Sequence, residues 1–103
     1  MCTYLTERVA ITARAKGTPG WLKVTDASVY FDHPAELPAE HSLNIDLLAP
    51  EKGPSARVAV ELDPAAALGL ARAVLEMLAS APQGLLPDDV AAAARAHLAG
   101  AMG

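Results

Sequence analysis

The chain carries a single cysteine, Cys2, so no internal disulfide can form and stability has to come from packing. Aromatic residues are also scarce, at 4%; although 52% of residues are apolar, much of that is alanine, which leaves Leu, Val and Ile to build the core. Runs of one charge sign never exceed a pair. With a net charge of -4 and no clustered Lys or Arg, a nucleic-acid backbone is not expected as a partner. No apolar stretch approaches the roughly 20 residues that a bilayer span needs. The longest alanine-rich one, residues 91–101, is interrupted by Arg95 and His97, so no membrane partner is expected. Met1 leads straight into polar and apolar alternation without a charged and apolar leader, which predicts a cytoplasmic protein whose thiol stays reduced. Glycine-rich phosphate loops, Ser-His-Asp motifs and dinucleotide fingerprints are lacking as well.

What is present is periodicity. Over residues 3–15, Leu5, Val9, Ile11 and Ala13 alternate with Thr6, Arg8 and Thr12, the period-two signature of a strand with one buried face. Lys16-Gly17-Thr18-Pro19-Gly20 concentrates turn residues and predicts a hairpin. Residues 21–31 suit a second strand, with Ala27, Val29 and Phe31 on one face and Asp26, Ser28 and Tyr30 on the other. Pro34 and Pro38 forbid regular pairing. Alternation then resumes with His41, Leu43, Ile45 and Leu47 inward against Ser42, Asn44 and Asp46 outward. After the turn signal Gly53-Pro54, residues 57–62 set Val58, Val60 and Leu62 against Arg57, Ala59 and Glu61. At Asp63-Pro64 the period changes to that of a helix over 63–80, with an apolar stripe through Leu68, Ala71, Leu75 and Leu78 and an Arg72/Glu76 pair away from it. A second, alanine-rich helix is expected over 87–100, opening at Pro87-Asp88-Asp89.

Short connections between four strands leave no crossover helices. The fold expected is therefore α+β: a four-stranded antiparallel meander, a C-terminal helix packed on one face and a second short C-terminal helix. With 103 residues the chain is expected to be one domain, with sheet 3–62 and helices 63–80 and 87–100. A core this thin would gain from pairing, so a homodimer is expected.

A meander brings the start of strand one, the end of strand two, the start of strand three and the end of strand four to one rim. That gathers Cys2, Asp32, His33, Glu40, His41 and Asp63, with Glu36 on the adjoining loop. Cys, His and carboxylate are the ligands that zinc accepts in four-coordinate sites. The leading expectation is thus a metal-binding protein, with Cys2, His33 and His41 as ligands to a divalent transition metal, zinc before others. An open coordination position would support metal-assisted chemistry on a small molecule, with Glu40 or Asp32 as general base. Phase tells against full convergence, since His33 and His41 share the apolar phase of their strands while Cys2 follows the polar one. In the plainer reading His41 caps the edge of the core, His33 opens a turn before proline and Cys2 is a small terminal residue.

Two other chemistries use these surfaces. Removal of Met1 would make Cys2 an N-terminal nucleophile, but such hydrolases need a far longer chain, and Thr3-Tyr4 breaks their pattern. Arg8, Tyr30, Asn44, Asp46, Arg57 and Glu61 would project from the polar sheet face, where a small-molecule ligand could sit. Solvent or a two-fold partner is the commoner fate of such a face and is preferred here. The alternative to metal binding is accordingly a non-enzymatic binding or accessory homodimer without metal.

The segments Met1-Cys2-Thr3-Tyr4-Leu5-Thr6-Glu7, Tyr30-Phe31-Asp32-His33-Pro34, Glu40-His41, Leu43-Asn44-Ile45-Asp46 and Arg57-Val58-Ala59-Val60-Glu61-Leu62 resemble a family of small bacterial proteins of unknown function. The resemblance covers residues 1 to about 78. It implies a self-standing domain, transfers no activity, and draws attention to Cys2, His33 and His41.

Overall fold

The computed structural model describes residues 5–17 and 20–102. The chain divides into two compact units, Met1–Pro64 and Ala65–Gly103. The first unit is the sheet: β1 (Thr6–Gly17), β2 (Gly20–Asp32), β3 (Ser42–Leu48) and β4 (Arg57–Leu62). They are ordered β1-β2-β3-β4 and pair antiparallel throughout, the meander that short connections demand. β4 has the expected bounds, and β1, β2 and β3 each run one or two residues further at their C-terminal ends. Thr18 and Pro19 of the expected hairpin turn, and Thr3 and Tyr4 of the expected first strand, lie outside the described residues.

Between β3 and β4 the chain makes a 3-10 turn at Pro50–Lys52 that ends on Gly53 at φ 101. The Gly53 N–H donates to the Pro50 carbonyl at 3.1 Å, and the Ala49 N–H closes the loop on the Ala56 carbonyl at 3.0 Å.

Register assigns the faces. Thr6, Tyr30, Asn44 and Glu61 lie in one row across the sheet, and Arg8, Ser28, Asp46 and Ala59 in the next, so all project from one face. Toward the first hairpin that face changes character. Ala10 pairs with Asp26 and Ala13 with Val24, so Ile11 and Thr12 together oppose Thr25 in a β-bulge. Beyond it Ala13 and Ala15 come onto the same face as Leu22 and Val24. The continuous apolar face expected from Val9 through Ala13 is therefore split, Val9 lying on one side and Ala13 on the other.

Burial also departs from expectation. Ser42, Asn44 and Asp46, read as outward, are buried at 0%, 9% and 6% exposure, while Leu43, Ile45 and Leu47 are only half-buried. Val24 and Ala49 are the buried apolar residues of this unit among those described.

The second unit holds α1 (Pro64–Ala79) and α2 (Asp88–Met102). Pro64 occupies the first helical position, where its missing N–H costs nothing. The expected Arg72–Glu76 pair is present at 3.3 Å. Gly84, at φ 88, turns the connection, and Asp88 and Asp89 place negative charge in the first turn of α2. Arg95 donates to the Ala79 carbonyl at 3.3 Å, serving one of the acceptors that the end of α1 leaves over. Among the described residues no helix is long and apolar enough to cross a membrane.

Gly53 gives a direct test of the turn. A Cβ there would meet nothing within 4 Å, so a Gly53→Ala change should act through backbone strain alone. Urea denaturation should show a loss of about 1 kcal/mol or more with an unchanged m-value.

Candidate functional site

The rim forms as the topology requires. Phe31 donates its N–H to the Leu5 carbonyl at 3.3 Å, Asp32 lies opposite Ser42, and Leu43 lies opposite Leu62. There the His33 and His41 rings stack, with centroids 5.1 Å apart and planes at 30°. His33 Nδ1 lies 3.0 Å from the Glu40 carbonyl oxygen, and Asp32 Oδ1 accepts the His33 N–H at 2.8 Å. Cys2 lies outside the described residues.

These contacts correct the expected function. Among the described residues no group of three or more His, Cys, Asp or Glu side chains is arranged to hold a metal ion. Stacked imidazoles turn their faces toward each other, whereas ligands must aim nitrogen lone pairs at one point. The Glu40 backbone carbonyl meets the His33 ring, and an Asp32 oxygen is taken up by a backbone amide. The reading of a Cys2/His33/His41 zinc centre with Glu40 or Asp32 as base is therefore set aside.

A different constellation occupies the polar face, centred on Asp46. Its direct neighbours across the sheet, Ser28 and Ala59, are small, so the longer Tyr30 and Arg57 reach it along opposite diagonals. Tyr30 donates its hydroxyl to Asp46 Oδ2 at 3.0 Å, and Arg57 Nη1 donates to the same oxygen at 3.0 Å. Oδ1 of Asp46 is the buried side-chain polar atom that lacks a hydrogen-bond partner among the described residues. Along β3, Ser42 donates to Asn44 Oδ1 at 2.5 Å and lies 3.4 Å from the Asp32 carbonyl oxygen. Burial pushes the Tyr30 phenol above its usual range; Asn44 and Arg57 pull against that, and the Asp46 carboxylate adds to it. The phenol thus stays a donor.

Segment 33–41, interrupted by Pro34 and Pro38, does not continue β2 but bends over this face toward β4. Glu61 holds it there. One Glu61 oxygen accepts the Ala35 N–H at 2.6 Å, and the other accepts those of Glu36 and Leu37 at 2.9 and 3.2 Å. These backbone bonds, first Ala35 and then Glu36, hold the Glu61 carboxyl below its usual value near 4.5, against a smaller opposing effect of desolvation. Between segment and sheet lies a concavity of about 870 Å³, whose lining includes Tyr30, Asp32, Leu37, Asp46, Arg57 and Glu61. Its size falls within the range of small-molecule sites.

The sequence thus places Tyr30, Asn44, Asp46, Arg57 and Glu61 on one surface, and the structure adds a roof. Arg8 stands apart from the concavity, 3.7 Å from Asp26. Ala35, Leu37 and Ser42 carry no sequence signal of a site; only the paired prolines mark their segment as unable to pair.

A family model described as "Family of unknown function (DUF6295)" matches residues 1–87. No curated protein and no solved structure matches the chain.

Because the folded pKa of Glu61 is depressed, its hold on the loop is complete above about pH 4.5 and is lost as pH falls through the lower folded value. The amide resonances of Ala35, Glu36 and Leu37 should titrate together with a midpoint below 4.5. In Glu61→Ala, hydrogen exchange at these three amides should accelerate, because no side-chain acceptor remains. For Tyr30 the sign is opposite: its raised pKa contributes stability below pH 10 that is lost as pH climbs through the folded value. Tyr30→Phe should cost about 1 kcal/mol of unfolding free energy at neutral pH. The ultraviolet titration step it removes should lie above pH 10.

Proposed function

The chain belongs to this family of unknown function, and from the site alone we propose that it is a non-enzymatic binding protein that holds a small polar molecule in the concavity between segment 33–41 and the sheet. The observation that carries the reading is the pair of buried polar residues Asn44 and Asp46 lining that concavity, with buried Ser42 hydrogen-bonded to Asn44 beside them. Apolar side chains at those positions would fold the sheet at lower cost, since each buried polar group loses solvation and needs a partner. Their retention, with Tyr30 and Arg57 aligned on Asp46, suits a preformed set of donors and acceptors surrounded by carbon surface.

Two further sequence expectations belong to this reading. The protein works as a homodimer, which a chain of this size with few fully buried apolar residues favours. It resides in the cytoplasm.

Amide-resonance mapping against a library of small polar fragments should show shifts concentrated at Tyr30, Asn44, Asp46, Arg57 and Ala59. Shifts confined to other surfaces would overturn the reading. Light scattering should give twice the chain mass of 10.6 kDa, and a monomer across the micromolar range would remove the dimer from it.

A further inference from the structure

We infer that the molecule held in this concavity is a small organic cation, an alkylammonium or guanidinium compound, which takes the place of Arg57 on the Asp46 carboxylate. The inference rests on the binding reading above and specifies its ligand.

Charge points first to a cation. Asp32, Glu36, Asp46 and Glu61 line the concavity against the Arg57 guanidinium and the His33 imidazole, whose Nδ1 already lies 3.0 Å from the Glu40 carbonyl oxygen. An anion entering here would meet repulsion without a free cationic partner. Hydrogen bonding then selects the anchor. Glu61 is occupied by three backbone amides, and one oxygen of Asp32 by the His33 N–H. Asp46 is only 6% exposed, yet both of its donors converge on Oδ2 and leave Oδ1 without one. A buried carboxylate in that state calls for a further N–H donor, and a charged one most strongly.

Arg57 is the exchangeable partner. Its side chain is half exposed, so it can leave without unpacking the sheet, whereas Tyr30 is held in the row between Thr6 and Asn44. Exchanging one cation for another keeps the buried charge neutralised at both ends of the process, avoiding the heavy cost of an unpaired buried carboxylate. The walls decide between organic and inorganic ions. Tyr30, Ala35, Leu37 and Ala59 present carbon, which suits an aliphatic stem and does little for a hydrated ion.

The probe is agmatine, which carries an ammonium and a guanidinium group, titrated into the full chain beside glutarate and erythritol as anionic and neutral controls. Amide resonances are followed throughout. Agmatine should shift Tyr30, Asp46 and Arg57 and the controls should not. Arg57→Met keeps the stem but removes the internal competitor, so it should bind agmatine about fivefold more tightly or better. The double variant Asp46→Asn/Arg57→Met leaves no buried charge unpaired, so it should fold and lose agmatine binding. If glutarate or erythritol shifts these residues and agmatine does not, the cation assignment falls while the binding reading stands. The cation assignment also falls if none of the three probes shifts them, if Arg57→Met weakens agmatine binding, or if the double variant binds it as well as the parent. The fragment library decides the binding reading separately.

Discussion

The grip of one carboxylate on three consecutive amides underlies the rest of the sheet unit. Segment 33–41 contains Pro34 and Pro38 and is not part of a strand, so the amides of Ala35, Glu36 and Leu37 take their acceptor from outside the segment. Glu61 supplies it from β4, 24 to 26 residues away. This contact turns a connection between strands into a roof, and the roof converts a flat polar face into a partly covered one. Tyr30, Asn44 and Asp46 line a concavity because of where Glu61 stands.

Enclosure in turn changes what polar residues must do. On an open antiparallel sheet Ser42, Asn44 and Asp46 would be hydrated and interchangeable with other polar types. Once covered, each must find a partner of defined geometry, and those partners come from three strands: Tyr30 from β2, Ser42 from β3 itself and Arg57 from β4. Register thereby becomes chemically specified. Sliding β4 by one residue would remove Arg57 from its diagonal and put Val58 in the row of Ala59.

Much of this architecture was legible in the sequence, and its limits have physical causes. Period-two alternation located all four strands, because half-buried strands cannot avoid showing it, and short connections settled their order. The Arg72–Glu76 contact followed from helical spacing alone. The inward and outward assignment of β3 did not survive, since alternation reports that two faces differ and not which one the chain later covers. The bulge was invisible because Ile11 and Thr12 are both β-branched and look like any strand pair. The metal reading failed for a related reason. Topology brought His33 and His41 to one rim as expected, but it does not govern how rings turn, and stacking put them face to face.

That bulge gives the sheet a two-toned surface. On one side of Ile11–Thr12 the shared face shows Thr6, Arg8, Asp26 and Ser28; on the other it shows Ala13, Ala15, Leu22 and Val24. A single supernumerary residue in β1 thus lets one continuous ribbon serve a wet end and a dry end. Were the ladder regular with no residue removed, Thr12 would stand opposite Val24 and Arg14 opposite Leu22, and Arg14 and Lys16 would carry their charges into the dry half.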